Sequence, residues 1–175
     1  MNKPSSPVSQ STETTPAALR RTDRSLPIAL LRAREKVMTP VREMLAQSGV
    51  SEQKWRILRV LDEAGPLDQS LLAQHACLQL PSLTRILRSM EDHRLITRET
   101  DQADRRRSIV SITAAGRKLI ADNTKASIEL FTRIESAFGS KRMNNLLDLL
   151  EELHQIDLPD APARGEHSGP DELSD

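Results

Sequence analysis

The chain has 175 residues, which suits one domain with a sizeable hydrophobic core. Aromatic residues make up 2% of it, so aliphatic side chains must fill that core, and this composition favours helices over a β-sandwich. The formal net charge is zero, so the total charge gives no evidence for a polyanionic partner. The charge is nevertheless uneven, because basic residues dominate positions 17–36 and acidic residues dominate positions 157–175.

The single cysteine, Cys77, excludes an internal disulfide and is usual for a reducing compartment. No apolar run approaches the ~20 residues that cross a bilayer, and the first residues lack the apolar core of a secretion signal. We therefore predict a cytoplasmic protein with no membrane partner. His75 and Cys77 lack further ligands at a suitable spacing, so no metal site is predicted and Cys77 is expected to be a buried structural thiol.

Both ends of the chain are predicted to be disordered. Residues 1–24 are rich in serine, threonine and proline without helical periodicity, and residues 159–175 form an acidic tail. The ordered part, residues 25–158, opens with a helix that Ser25 can cap. Pro40 lies inside this helix and predicts a kink or a weakened turn there.

The third and fourth predicted helices are short and joined by a tight turn, so they predict a helix-turn-helix. The second helix follows Ser51 and stops at Gly65, and Asp68 caps a short third helix. Pro81 begins the fourth helix, where its missing N–H does no harm. The inward face of the fourth helix is predicted to consist of Leu83, Ile86, Leu87 and Met90.

The segment after the fourth helix predicts a β-hairpin. Residues 95–100 and 108–113 are β-prone runs separated by a charged loop. A helix of groove-fitting length followed by a hairpin with an arginine-rich tip is typical of a winged helix, which places the helix in the major groove of duplex DNA and the hairpin over the backbone or the minor groove. The predicted fold class is therefore mainly α with a small β-hairpin wing, a winged helix-turn-helix.

Two more helices are predicted after the hairpin. Thr113 caps a fifth helix that continues to about Ala137, and Gly139 precedes a sixth that ends near Ile156. The sixth helix carries an apolar stripe too broad for a solvated surface helix. This excess of apolar helix, together with the apolar first helix, predicts a homodimer interface built from both ends of the ordered part.

The element order and three motifs resemble the MarR family of regulators. These motifs are the LPSLTR entry to the fourth helix, the DRRR wing at residues 104–107 and the ITAAG exit at residues 112–116. Within the family, the segments SLPIALLRARE, QKWRILRVL and CLQLPSLTRIL resemble regulators of homoprotocatechuate and hydroxyphenylacetate catabolic operons, which neighbour hydroxynicotinate-responsive repressors. The resemblance covers about residues 25–156.

The resemblance implies an intertwined homodimer whose DNA-binding lobe spans about residues 51–113. Its dimerisation helices would span about residues 25–48 and 114–156. It implies a transcriptional repressor of an aromatic-acid catabolic operon, bound to a pseudo-palindromic operator in double-stranded DNA. A small aromatic carboxylate effector, similar to hydroxyphenylacetate, dihydroxyphenylacetate or hydroxynicotinate, would release it.

An enzyme is not predicted, and no cofactor is expected. The chain has no glycine-rich phosphate loop, metal-ligand spacing or nucleophile motif. Two alternatives to the ligand-responsive repressor stay open at this point. One is a winged-helix module for protein interactions, and the other is a transcriptional activator without a small-molecule ligand.

Polar residues on the early outer face of the fourth helix are the first candidates for DNA contact. They are Ser82, Thr84, Arg85 and Arg88. Serine and threonine can bind phosphates or base edges, and Arg85 could bind guanine. The alternative is an ordinary solvated helix face, but the nearby wing favours DNA contact.

The tip of the wing supplies the second set of DNA-contact candidates, which are Asp104, Arg105, Arg106 and Arg107. Consecutive arginines repel one another unless an anion is near. Asp104 is placed to orient one guanidinium, and an arginine held in this way can enter a narrow, electronegative minor groove. Arg106 is the leading candidate, and the alternative is a solvated run of charges.

Trp55 and Arg59 are the leading candidates for effector binding. They lie four residues apart, so they share a face of the second helix. The indole can stack on an aromatic ring while the guanidinium binds its carboxylate. The structural alternatives are a core tryptophan with the arginine side chain extending past it to solvent, or a salt bridge from Arg59 to Glu52 or Glu63.

Residues outside the second helix complete the predicted effector site. Ser25 of the partner subunit could bind the same carboxylate, and Arg32, Arg34 and Phe131 are weaker candidates. In the resembling sensors of phenolic acids, a tyrosine hydroxyl is implied near the position that Phe131 occupies. This departure leaves the identity of the effector open.

Overall fold

The computed structural model describes residues 22–157 apart from 103, 105 and 106. The two predicted tails therefore lie almost wholly outside the described residues. Within the described part, six α-helices and three short strands follow a 3₁₀ helix at Thr22–Arg24. In chain order they are α1 Leu26–Ala46, α2 Glu52–Ala64, β1 Leu67–Asp68, α3 Gln69–His75, α4 Leu80–Asp92, β2 Ile96–Thr100, β3 Ser108–Ile112, α5 Ala114–Phe138 and α6 Ser140–Gln155.

Helix α1 continues through Pro40 instead of ending there. The proline ring removes one helical N–H donor, so this turn has one backbone hydrogen bond fewer, as the prediction of a weakened turn requires. Ser25 occupies the N-cap position with an extended backbone, but its side chain makes no capping hydrogen bond. The helix start is instead compatible with Pro27, whose fixed φ suits the first turn.

Three predicted side-chain caps are confirmed. The Ser51 hydroxyl accepts a hydrogen bond from the Lys54 N–H at 3.3 Å. The Asp68 carboxylate accepts from the N–H groups of Ser70 and Leu71 at 2.9 and 3.1 Å. The Thr113 hydroxyl accepts from the Gly116 N–H at 3.1 Å. These bonds satisfy donors that the first turn of a helix leaves without a backbone partner.

The strands form a three-stranded antiparallel sheet in the order β1-β3-β2. The predicted hairpin is confirmed: Ile96 pairs with Ile112, and Thr100 pairs with Ser108. Strand β1 was not predicted. It has two residues, with Leu67 paired to Val110, and so short a strand shows no alternation of apolar and polar side chains in the sequence.

A single cluster of aliphatic side chains holds the helix-turn-helix and the sheet together. It includes Leu58 and Leu61 of α2, Leu72 of α3, the predicted inward residues of α4, Ile96, Val110 and Ile120. All four predicted inward residues of α4 are buried. The orientation of α4 about its own axis is therefore set by this cluster, because turning it would expose those side chains to water.

The chain divides into two units, residues 1–132 and residues 133–175. The second unit contains the end of α5 and all of α6. No residue of α6, which the structure describes in full, is buried in this single chain. Its predicted apolar stripe is exposed at Leu146, Leu147, Leu149 and Leu150.

Candidate nucleic-acid interface and effector site

The turn between α3 and α4 positions the predicted reading helix. Ala76 is the C-cap residue of α3, and Cys77 follows with a φ of 49°, in the left-handed region. The Leu78 N–H then donates to the Ala73 carbonyl at 2.9 Å. Arg56 of α2 donates to the Ala76 carbonyl at 2.8 Å. These contacts fix the angle at which the chain enters α4.

The prediction that Cys77 is buried is wrong, because its side chain is exposed. Ala76 occupies the fully buried position at this turn. Cys77 is the next residue, and its left-handed backbone conformation lies at the surface of the turn rather than on the core face of α3. The sequence contains both residues side by side, and only the turn geometry decides which one enters the core.

The outer face of α4 presents the predicted DNA-contact side chains. Arg85 and Arg88 are exposed, whereas Ser82 and Thr84 are half-buried. The Thr84 hydroxyl donates to the Leu80 carbonyl at 2.9 Å, so its oxygen keeps acceptor capacity but its proton is engaged. Neither Arg85 nor Arg88 is ion-paired with any residue that the structure describes. Two guanidinium groups are thus presented to solvent on the side of α4 opposite the core.

The wing is described only in part, since Arg105 and Arg106 lie outside the described residues. The Asp101 N–H donates to the Arg107 carbonyl at 3.0 Å, and the Arg107 N–H donates to the Asp104 carbonyl at 2.9 Å. These two bonds close the loop at the base of the tip. The predicted roles of Arg105 and Arg106 stay predictions.

Arg107 turns back toward the body of the protein. Its guanidinium pairs with the Asp68 carboxylate, the group that also caps α3. The Leu71 N–H and the Arg107 guanidinium, in that order, hold the pKa of Asp68 below its ordinary value. Asp68 in turn raises the pKa of Arg107, helped by the charges of Asp101 and Asp104.

The contact between Asp68 and Arg107 joins the wing to the first helix of the helix-turn-helix across 39 residues of sequence. It was missed at the sequence level. The only available signal was that an N-cap aspartate uses one carboxylate oxygen for its helix and leaves the other for a second partner.

The predicted effector residues of α2 lie side by side as expected, but each has a partner in this single chain. Trp55 is half-buried and packs against the core cluster. Arg59 is exposed and pairs with Glu63, one turn further along α2. Both contacts match the structural alternatives to effector binding, in which Trp55 belongs to the core and Arg59 forms a salt bridge. Among the described residues, no hydrogen bond or ion pair joins Trp55 or Arg59 to the other predicted residues, which are Ser25, Arg32, Arg34 and Phe131. Arg34 pairs with Glu52 instead.

Glu52 of α2 forms a cluster that sequence reasoning missed. Its carboxylate faces three guanidinium groups, from Arg34 and Arg42 of α1 and from Arg56 of α2. The sequence pattern indicates Glu52 only as a possible salt-bridge partner of Arg59. The spacing of Glu52 and Arg56, one helical turn apart, was a readable signal, but the two contacts from α1 depend on how α1 packs against α2.

The described residues contain neither a cluster suited to a metal ion nor a helix suited to a bilayer. No group of three or more histidine, cysteine, aspartate or glutamate side chains stands where it could hold a metal ion, as far as residues 22–157 are described. Within the same residues, no helix combines the length and the apolar character needed to span a bilayer.

Known proteins similar to this chain are transcriptional regulators. Residues 50–108 match the MarR family. The chain is 40% identical over 133 residues to the HTH-type transcriptional regulator FarR of Neisseria gonorrhoeae. The aligned region covers 76% of this chain and 91% of FarR. The chain is 39% identical over 128 residues to the homoprotocatechuate degradative operon repressor of Escherichia coli, covering 73% of this chain and 86% of that repressor.

A solved structure of NadR in complex with 4-hydroxyphenylacetate has the same fold. The two chains are 38% identical and superpose with a TM-score of 0.71, covering 82% of this chain and 100% of the NadR chain. The predicted winged helix-turn-helix is thereby confirmed over nearly the whole described part.

Proposed function

The chain belongs to the MarR family and is a transcriptional repressor of the MarR type, and from that premise we propose that it represses an aromatic-acid catabolic operon and is released from DNA by a small aromatic carboxylate. The observation that carries the DNA-binding part of this proposal is the outer face of α4. There Arg85 and Arg88 are exposed, while the opposite face is buried in the core beside the wing.

DNA binding would place α4 in the major groove. Arg85 and Arg88 would contact base edges or phosphates, and Ser82 and Thr84 would help to fix the register of the helix. The wing would lie along the neighbouring minor groove with Arg106 inserted. Arg107 is better suited to anchoring the wing, because its guanidinium is engaged by Asp68.

A homodimer would cover apolar side chains that a single chain exposes. Leu26, Leu30 and Leu31 are exposed on α1, as are Ile128 and Phe131 on α5 and four leucines on α6. Apolar exposure on this scale marks an interaction surface. A two-fold dimer would set two copies of α4 about one helical turn of DNA apart on a pseudo-palindrome.

Effector binding would replace the contact between Arg59 and Glu63. An exposed pair one helical turn apart is worth only about 0.3–0.5 kcal/mol, so a bidentate aromatic carboxylate can displace Glu63 at little cost. The Trp55 indole is the neighbouring ring surface. Support for an aromatic ligand comes from NadR, a relative of 38% identity whose structure contains 4-hydroxyphenylacetate.

DNA from the chain's own promoter region tests the proposal. We expect salt-sensitive binding that 4-hydroxyphenylacetate, dihydroxyphenylacetate or hydroxynicotinate weakens, measured by fluorescence anisotropy. Arg59→Ala should keep the DNA affinity and lose release by the effector. Glu63→Ala is the matched variant and should keep both. An Arg59→Ala protein with unchanged effector affinity would remove Arg59 from the site.

A further inference from the structure

The Glu52 carboxylate is the meeting point of three guanidinium groups. Arg34 Nη2 lies 2.5 Å and Arg56 Nη2 lies 2.8 Å from Glu52 Oε1, while Arg42 Nη1 lies 3.6 Å from Glu52 Oε2. The Glu52 side chain is 15% exposed, against 52% for Arg34. The Glu52 carboxylate is therefore mostly buried, and each of the three guanidinium groups that it contacts is more exposed than the carboxylate itself.

The three cations come from two different helices. Arg34 and Arg42 lie eight residues apart, on one face of α1, the predicted dimerisation helix. Arg42 is oriented further by Glu35 and by the Thr39 hydroxyl of the same helix. Arg56 lies on α2, one turn after Glu52. A displacement of α1 relative to α2 therefore changes the contacts that Arg34 and Arg42 make with Glu52.

The third guanidinium extends the chain of contacts to the reading helix. While one Nη of Arg56 binds Glu52, the other donates to the Ala76 carbonyl at 2.8 Å. Ala76 is the C-cap residue of α3, and Cys77, with its left-handed backbone conformation, follows it. The contacts therefore run without a gap from α1, through Glu52 and Arg56, to the turn that leads into α4.

Glu52 also explains why this cluster is not an anion site. A cleft of about 360 Å³ lies here, lined by Arg34, Arg42, Glu52 and Arg56 among others. Three guanidinium groups beside a cleft would suit a carboxylate or a phosphate. The carboxylate in contact with all three is already supplied by the protein, so the cluster serves the contact between the helices.

We propose that Glu52 is a positioning residue that transmits the placement of α1 to the α3–α4 turn, and so to the angle of the reading helix. When α1 lies as it does here, Glu52 holds Arg56 against the Ala76 carbonyl and the turn is firm. When α1 moves, Glu52 follows or loses its partners, and Arg56 loosens its hold on the turn. The consequence for repression rests on the proposed function, but the mechanical link does not.

Amide hydrogen exchange of the free full-length protein measures the link directly. The reporters are the N–H groups of Cys77 and Leu78, which bond within the turn to the carbonyls of Gln74 and Ala73. Glu52→Gln should speed their exchange about tenfold, the range expected when a charge-assisted hydrogen bond is lost. The double variant Arg34→Gln/Arg42→Gln, altered only in α1, should speed it to a similar degree.

A double-mutant comparison separates transmission from a general loss of stability. In the Glu52→Gln background, the two α1 substitutions should change the exchange of Cys77 and Leu78 by less than about twofold, because the link is already cut. Arg56→Gln should speed exchange whatever α1 carries. Asp122→Asn removes the same charge from an exposed pair on α5 and should leave the turn unchanged.

Two results would overturn the proposal. One is a turn that exchanges at the wild-type rate in the α1 double variant. The other is an α1 effect of undiminished size in the Glu52→Gln background. Because neither DNA nor effector is present, failure of promoter binding or of release by 4-hydroxyphenylacetate would count against the proposed function alone.

Discussion

At the scale of single residues, Asp68 and Gly116 each occupy a position where a substitution should be costly. Asp68 caps α3 with one part of its carboxylate and holds Arg107 of the wing with the other. Gly116, in the first turn of α5, is buried against the Leu95 carbonyl and Ile112. Both residues connect segments that are far apart in the sequence.

Gly116→Ala should destabilise the protein by about 1–3 kcal/mol, the usual effect of overpacking a core. An added Cβ would overlap the backbone oxygen of Leu95 and lie 2.7 Å from Ile112 Cγ1, and a backbone oxygen cannot move aside cheaply. Urea unfolding measures the change. Ala115→Ser, at the exposed neighbouring position, should stay within about 0.5 kcal/mol of wild type. Equal stability of Gly116→Ala and wild type would contradict the packing described here.

Asp68 should make stability depend on pH in the acid range. Its pKa is lower in the folded protein than its ordinary value of 3.8, so the charged form is favoured by folding. This contribution is fully present above the unfolded pKa and is lost as the pH falls through the lower folded pKa. Asp68→Asn should therefore be less stable than wild type near about pH 7, and the difference should shrink below about pH 4.

The same unfolding series with Asp122→Asn is the control for the pH dependence. Asp122 belongs to an exposed pair with Lys118, one turn apart on α5. Its substitution should change the free energy of unfolding only slightly, because an exposed ion pair contributes little. A gap between wild type and Asp68→Asn that stays constant down to about pH 3 would rule out the assigned role of the carboxylate.

At the scale of secondary-structure elements, α4 and the hairpin act as one unit. The buried face of α4 and the central strand β3 share the core cluster, and Arg98 of β2 also pairs with Glu91 of α4. The Asp68–Arg107 contact adds a third connection, from α3 to the wing. The reading helix and the wing are therefore expected to approach DNA as a rigid pair, with specificity in α4 and sequence-independent affinity in the wing tip.

Arg106→Ala should weaken binding by a similar factor for every DNA sequence and should lower the slope of log K against log salt by about one unit. The physical reason is the loss of one cation that displaces counterions from DNA. Lys125→Ala removes an exposed cation of α5, outside the predicted interface, and should leave the slope unchanged. Titrations at several salt concentrations decide the matter; an unaltered slope for Arg106→Ala would exclude its predicted contact.

At the scale of the whole molecule, the distribution of apolar surface requires a partner. The core cluster satisfies the DNA-binding lobe, but α6 buries none of its residues in the single chain. Four leucines of this helix stay between 37% and 55% exposed, and covering them with apolar side chains would add to the stability of the fold. A second copy of the chain is the occupant that the MarR family relationship supports.

Leu147→Glu should disrupt the proposed homodimer, because it introduces a charge into an apolar contact. We expect a shift toward monomer at micromolar concentration in analytical ultracentrifugation, with a large loss of affinity for promoter DNA. Asn144→Glu places the same charge at an exposed polar position of α6 and is the matched control. A Leu147→Glu protein that sediments as a dimer would show that α6 does not form the interface.

Much of the fold followed from local patterns. The three confirmed caps, at Ser51, Asp68 and Thr113, depend on a side chain and N–H groups two or three residues away, so they are readable from the sequence. The four inward residues of α4 follow from helical periodicity. The hairpin also followed from a local pattern, namely two β-prone runs separated by a charged loop. The two-residue strand β1 was too short to leave such a pattern.

The helices, the hairpin, the family resemblance and the candidate DNA-contact and effector residues could be predicted from the amino-acid sequence, because each depends on neighbours within one or two turns or on contiguous motifs. The folded chain was needed to show that Arg107 pairs with Asp68, that Glu52 joins α1 to α2, that Cys77 is exposed and that Gly116 has no room for a side chain. Those facts depend on which distant segments meet, and the packing of whole helices and strands settles that.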